Sequence, residues 1–176
     1  MGSKQIFTKT EILTPLAILD RGYNKASKVP SSRNNQLLKI YSKIAVITAG
    51  GWIEDGMKSL VEISAIKLRD NNGQCRLRGD VEFIFGFSYK QHFSKALMFA
   101  FGAHGLEYIE DEIGATDLVV LESSLGNLKS WRDHAAHSYS VIISATPTRV
   151  IGEMSKIIPI LKKIEKSTKK YRDIHF

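Results

Sequence analysis

The helical character of this chain is clearest in residues 116 to 139, which read TDLVVLESSLGNLKSWRDHAAHSY. Thr116 is a suitable N-cap, and Asp117 follows in the first turn, where a carboxylate stabilises the positive end of the helix dipole. The apolar residues then recur at the spacing of a single helix face: Leu118, Leu121, Leu125, Leu128 and Trp131. The stretch therefore predicts a long amphipathic helix with a polar C-terminal end.

Helical spacing extends to both sides of this stretch. It predicts helices over residues 8 to 28, 33 to 69, 88 to 112 and 148 to 172. Pro159 predicts a kink in the last of them. Because the connections are short and no strands alternate with the helices, the pattern predicts an all-α bundle with four principal helices.

Length and composition favour a single core. The 176 residues with 43% hydrophobic content are enough for one compact domain and too few for two. Turn-forming residues at 29 to 32 divide a short N-terminal helical extension, residues 1 to 32, from the bundle, residues 33 to 176. No stretch resembles a membrane span or a secretory signal, so the sequence predicts a cytoplasmic protein with no membrane partner.

Two places interrupt the helical pattern. Gly50 and Gly51 lie inside the predicted helix over residues 33 to 69, which indicates either a kink or the close approach of another helix. The run Asp70 to Gly73 is a helix stop signal. The residues after it, 75 to 87, are predicted to form a loop, although their alternating apolar residues are also typical of a short strand: Val81, Phe83 and Phe85.

The net charge of +7 is carried by the two ends of the chain. Residues 1 to 49 contain eight basic and two acidic residues, residues 146 to 176 contain eight and three, and the middle contains nine and thirteen. Basic ends suit a polyanion such as RNA. The lysines of the last helix are candidate RNA-binding residues, and they are equally typical of a solvated helix side: Lys162, Lys163, Lys166, Lys169 and Lys170.

Several chemistries lack the residues they need. The chain has no P-loop, no GxGxxG dinucleotide-binding loop and no GxSxG nucleophile motif. The single cysteine, Cys75, has no second thiol with which to form a disulfide or a zinc site. His134 and His137 could share a metal ion with Asp133, but no fourth ligand is nearby. The sequence therefore predicts neither a metal nor another cofactor.

The polar end of the central helix, residues 131 to 139, contains the strongest candidate chemistry. Asp133 and His137 are four residues apart and share a helix face, so that the carboxylate can orient the imidazole and raise its pKa. Arg132 adds a permanent charge beside a histidine that titrates near neutral pH, a combination that suits RNA cleavage. The alternative is a helix C-terminus at which arginine and histidine bind the last carbonyls.

The run Arg132-x4-His137 resembles the Arg-x4-6-His motif of the HEPN superfamily, with the polar residue that this family favours, Asp133, directly after the arginine. Tyr139 extends the likeness to the Arg-x4-His-x-Tyr form of HEPN toxins whose nucleotidyltransferase antitoxins adenylylate that tyrosine; the RiboL-PSP type is the other related branch. The resemblance implies a HEPN-like bundle of four to five helices.

The resemblance also implies an activity. HEPN proteins are typically metal-independent endoribonucleases, in which the 2′-hydroxyl attacks the neighbouring phosphate and leaves a 2′,3′-cyclic phosphate. His137 would then transfer the proton, Arg132 would hold the phosphate, and Asp133 would orient the histidine. His134 would assist, and Tyr139 would contact the substrate or carry a modification. A homodimer would supply Arg132 and His137 twice in one cleft, which provides both an acid and a base.

Two other functions remain open at this point. The first is a HEPN-type module that has lost catalysis and acts in RNA binding or dimerisation during phage defence. The second is a helical DNA-binding regulator, which would need a helix-turn-helix with a basic recognition helix. Only the lysine-rich last helix is a candidate for that role.

Overall fold

Helices make up the regular structure of this chain. The computed structural model describes residues 5–65, 71–82, 86–137 and 145–175. These residues contain six α-helices, one π-helical turn and no strand. The helices are α1 (Lys9–Ser27), α2 (Ser32–Ala65), α3 (Asn71–Glu82), α4 (Ser94–Ile113), α5 (Ala115–His137) and α6 (Pro147–His175), and the π turn is Tyr89–Phe93. The predicted all-α bundle is therefore confirmed.

α1 shares the hydrophobic core of the bundle. It packs against α2 and α6, and Phe7, Ile12 and Leu16 are at most 1% exposed. These side chains belong to the same buried cluster as residues of α2, α4, α5 and α6. The predicted division after residue 32 thus falls at the first residue of α2, and the helices on its two sides contribute to one core.

α3 occupies a segment for which the sequence predicts a loop, and that prediction is wrong for Cys75 to Glu82. The strand alternative is also wrong at Val81, whereas Phe83 and Phe85 lie outside the described residues. α3 packs against α2 and α4, and its Leu77 lies against the core. Tertiary packing of this kind stabilises short helices that local propensity does not favour.

Gly114 joins α4 to α5, and it is the residue that precedes α5, where the sequence predicted Thr116. Its backbone has φ +85°, a conformation that favours glycine, and its N–H donates to the carbonyl of Glu110 at 2.9 Å. Its own carbonyl accepts the N–H of Leu118 at 3.1 Å. α5 consequently begins at Ala115, and the predicted N-cap Thr116 lies inside the first turn.

α4 and α6 differ in how they tolerate helix-breaking residues. α4 is kinked at Gly102, where φ is +74° and the backbone leaves the helical region. α6 continues through Pro159 as a single element. Within the part of the chain that the structure describes, every helix falls short of the length and apolarity that a membrane crossing requires.

Candidate active site

Arg132 lies half-buried near the end of α5 and is held by an acidic residue from another helix. Its Nη1 donates to Oε1 of Glu54 in α2 at 2.5 Å. Its Nη2 lies 3.4 Å from Oδ1 of the adjacent Asp133. The side chains of Arg132 and Glu54 are 27% and 29% exposed, so this ion pair is placed where solvent or a ligand can still reach it.

An aromatic ring supports the same guanidinium. The Cζ atom of Arg132 lies 5.0 Å from the centre of the Phe87 ring, within the range of a cation–π interaction. Phe87 is fully buried. A Cβ atom on Gly50 would lie 3.0 Å from Cε1 of Phe87 and 3.4 Å from Cδ of Arg132. The glycine therefore marks the close approach that the sequence offered as one alternative to a kink.

Asp133 contacts basic side chains of its own helix. Its Oδ2 accepts a hydrogen bond from Nζ of Lys129 at 2.7 Å. This bond lowers the pKa of Asp133 below its ordinary value, and the charges of Lys129 and Arg132 lower it further, against a smaller effect of burial. Asp133 is thus an ionised carboxylate at neutral pH.

The remaining motif residues are placed differently. His137 is the final residue of α5, but its side chain lies outside the described residues, as does all of Tyr139. The proposed contact between Asp133 and His137 therefore stays a prediction. His134 is exposed, and its Nδ1 lies 2.7 Å from the carbonyl oxygen of Ser130, one turn earlier in α5. The helix-terminal alternative concerns the last carbonyls of α5, and the carbonyl of Ser130 is not one of them.

His92 lies on the π turn, close to the charges around Arg132. Its Nδ1 is 2.7 Å from Oγ of Ser88. Partial burial lowers the pKa of His92, and the positive charges of Lys129, Arg132 and Lys95 lower it further, against a hydrogen bond with Ser88 that raises it. The imidazole is therefore neutral at neutral pH.

Sequence reasoning did not identify three residues of this site: Glu54, Phe87 and His92. Glu54 and Arg132 are separated by 78 positions in the chain, so no local spacing relates them. The one signal in the sequence was the glycine pair at residues 50 and 51, which indicated a close contact without identifying its partner.

The five candidate RNA-binding lysines fall into two groups. Lys163 pairs with Asp117, Lys169 with Glu165 at 2.6 Å and Lys170 with Glu112 at 3.0 Å. Lys162 and Lys166 have no ion pair with a described residue, and they line an open cavity of about 370 Å³. The free positive charge of this face is smaller than the lysine count indicates.

The arrangement around Arg132 suits the recognition of an anion. A guanidinium fixed by Glu54 and Phe87 keeps donors that are not engaged by these two residues, and a planar guanidinium binds phosphate oxygens well. No group of three His, Cys, Asp or Glu side chains placed to hold a metal ion occurs among the residues described.

Comparisons with known proteins add nothing to this geometry. No family model matches the chain, and no curated protein or solved structure is significantly similar to it. The assignment of the site consequently depends on the contacts of Arg132 and on its position in the sequence.

Proposed function

We propose that this protein is a metal-independent endoribonuclease of the HEPN type that leaves 2′,3′-cyclic phosphate ends. The observation that carries the proposal is the immobilised guanidinium of Arg132, held by Glu54 and Phe87 five residues before His137. An arginine at a helix end that only bound the last carbonyls would not need these two partners. Their presence favours a phosphate-binding role.

The contacts of Arg132 suggest how it would act. Glu54 and Phe87 limit the rotamers of a long side chain, so that less conformational entropy is lost when the phosphate binds. The fixed positive charge would stabilise the additional negative charge that develops on phosphorus oxygens during 2′-hydroxyl attack. His137 would transfer a proton in the same step, with Asp133 orienting it and His134 assisting.

A homodimer is the assembly that we propose, and one exposed helix face supports it. Ile40, Ile44 and Ile47 of α2 are 48%, 44% and 54% exposed. Their spacing continues through Gly51 to Glu54, so the apolar face leads directly to the ion pair with Arg132. Pairing of two copies along this face would bury the isoleucines and bring two sites together.

The dimer can be tested by a charge at the centre of that face. Ile44→Glu is expected to convert a dimer to a monomer in analytical ultracentrifugation, since a buried pair of like charges opposes association. Ile18→Glu is the control, because Ile18 is an equally exposed isoleucine of α1. A wild-type protein that sediments as a monomer at all concentrations would contradict the proposed dimer.

The biological setting that we propose is that of a toxin in a toxin–antitoxin or phage-defence system. RNA is the expected substrate, and a nucleotidyltransferase-type antitoxin that modifies Tyr139 is the expected protein partner. Lys162 and Lys166 are the lysines most available to RNA, because Lys163, Lys169 and Lys170 are engaged by carboxylates.

The deciding experiment is cleavage of total cellular RNA by the purified protein in EDTA. Wild type is compared with Arg132→Ala, with His137→Ala and with Arg21→Ala, a control at an exposed arginine of α1. Cutting that leaves cyclic phosphates and is lost only in the Arg132 and His137 variants supports the nuclease. Intact RNA, or equal cutting by all four proteins, favours the alternative of a non-catalytic RNA-binding or dimerisation module.

A further inference from the structure

Three consecutive residues connect His92 to the guanidinium of Arg132. Gly86 lies against the imidazole, because a Cβ atom there would be 2.9 Å from both Cε1 and Nε2. The centre of the Phe87 ring lies 5.0 Å from Cζ of Arg132, and Oγ of Ser88 lies 2.7 Å from Nδ1 of His92. The histidine and the arginine are thus positioned by the same short segment.

The backbone of this segment is adapted to the histidine. Gly86 has φ +111°, a conformation that side-chain-bearing residues rarely adopt, and it leaves room for the ring. The N–H of Phe93 bonds the carbonyl of Ser88 at 3.2 Å, five residues earlier, which is the bond of a π turn. Such turns frequently occur at functional sites.

The charges that act on the pKa of His92 are positive, although Asp133 and Glu54 pair with two of the groups that carry them. Lys129 and Arg132 approach it from α5, and Lys95 approaches it from α4. Together with partial burial, they keep the ring in its neutral form at neutral pH, and a neutral imidazole is able to accept a proton. In the tautomer in which Nδ1–H donates to Oγ of Ser88, Nε2 has the free lone pair that this role requires.

We propose that His92 is a second proton-transfer residue of the Arg132 site and accepts the proton of the RNA 2′-hydroxyl. The inference rests on the proposed nuclease function. In this step the 2′-oxygen forms a bond to phosphorus and its proton moves to Nε2 of His92. The bond from phosphorus to the 5′-oxygen breaks, and His137 donates a proton to that leaving oxygen. Each chain then carries both a base and an acid, so a two-fold axis is not needed to supply them.

The test compares the pH dependence of cleavage in wild type, His92→Gln and His104→Gln. Initial rates on total cellular RNA in EDTA are measured between about pH 5 and pH 8, the range in which a histidine base titrates. His104 is an exposed histidine of α4 and serves as the matched control. Binding of a fully 2′-O-methylated RNA oligonucleotide, which lacks the attacking hydroxyl, and helix content are measured for the same proteins.

The expected result is a cleavage rate about 100-fold lower in His92→Gln. The fall in rate at low pH, the acid limb of the profile, should be lost in this variant and retained in wild type and His104→Gln. Oligonucleotide binding and helix content should remain unchanged. If His92→Gln cuts RNA at a rate within about threefold of wild type and keeps the acid limb, the proposal for His92 is wrong and the nuclease function stands.

Two other outcomes also decide the matter. Loss of cleavage together with loss of oligonucleotide binding or helix content would show a structural histidine and would overturn the proposal. Wild-type protein that leaves RNA intact at every pH would remove the nuclease function and, with it, the role of His92.

Discussion

Glu165 and Glu54 both pair with a basic side chain, but the surroundings of these two carboxylates differ. Glu165 of α6 is 5% exposed and accepts hydrogen bonds from the main-chain N–H groups of Ile6 and Phe7, at 2.9 and 3.2 Å. It also accepts one from Nζ of Lys169 at 2.6 Å. Glu54 is 29% exposed, and Arg132 is its only partner among the described residues.

We call Glu165 an anchor, because it fastens one part of the chain to another, and we assign Glu54 to a site, because it stays open to a ligand. Both oxygens of Glu165 are engaged by the chain itself, and the result is that the N-terminal segment is fastened to α6. Glu54 fixes Arg132 but leaves both side chains partly open to solvent. Polar groups that are held in place but keep unused hydrogen-bonding capacity are able to bind a ligand. By this criterion Glu54 and Arg132 belong to a binding site.

The largest expected effect is that of Arg132→Lys on RNA cleavage. Lysine keeps the positive charge but loses the planar fork and the stacking on Phe87, so we expect the rate to fall about 100-fold. The free energy of unfolding should change by less than about 1 kcal/mol, because the ion pair with Glu54 is partly exposed. Arg21→Lys is the control; a rate equal to wild type in Arg132→Lys would show that charge alone is sufficient.

The second prediction concerns the two carboxylates directly. Glu165→Gln should lower the free energy of unfolding by about 2 kcal/mol, because it weakens three hydrogen bonds to a buried acceptor. Glu54→Gln should lower it by less than about 1 kcal/mol and should lower RNA cleavage about tenfold through a less ordered Arg132. Urea unfolding and initial rates measure both quantities. A larger stability loss in Glu54→Gln would remove the distinction between anchor and site.

The third prediction is the pH dependence of the anchor. Burial raises the pKa of Glu165, but hydrogen bonds from Lys169, Ile6 and Phe7 outweigh this and hold the pKa below the ordinary 4.5. Because the unfolded state then binds more protons, the stabilisation is complete above that value and is lost as pH falls through the lower folded-state pKa.

Unfolding measured between about pH 3 and pH 7 should show this loss in wild type and a flatter profile in Glu165→Gln. Parallel profiles for wild type and Glu165→Gln would contradict a stabilising role of the ionised carboxylate.

The smallest expected effects come from two glycines inside helices, Gly126 of α5 and Gly50 of α2. Gly126 is exposed and has open space at its Cβ position, so Gly126→Ala should stabilise the protein by up to about 1 kcal/mol, as alanine generally does in an exposed helix. Gly50→Ala should gain less, because Phe87 and Arg132 must yield, and it should lower cleavage several-fold. Equal effects of the two substitutions on cleavage would mean that the Phe87 support is unimportant.

The sequence predicted most helices because their apolar spacing is local. It failed where structure depends on distant contacts: α3 is stabilised by packing on α2 and α4, and the start of α5 depends on the backbone of Gly114. At the site, Arg132 and Asp133 were identifiable from a short run, whereas Glu54, Phe87 and His92 were not. Glu54 and Phe87 contact Arg132 only after folding, and the charge of Arg132 then acts on His92; no spacing in the sequence indicates these relations.

The π turn has a consequence for how this site can change. Its backbone hydrogen bonds join residues five positions apart, whereas those of an α-helix join residues four positions apart. Each residue of an α-helix corresponds to a rotation of about 100° around the helix axis. Removal of one residue between Tyr89 and Phe93 would restore ordinary helical bonding and rotate Ser88 and Phe87 around the axis, away from their present partners. The direction of these side chains is therefore encoded by the length of the turn, and a deletion would alter the site in a way that no single substitution can reproduce.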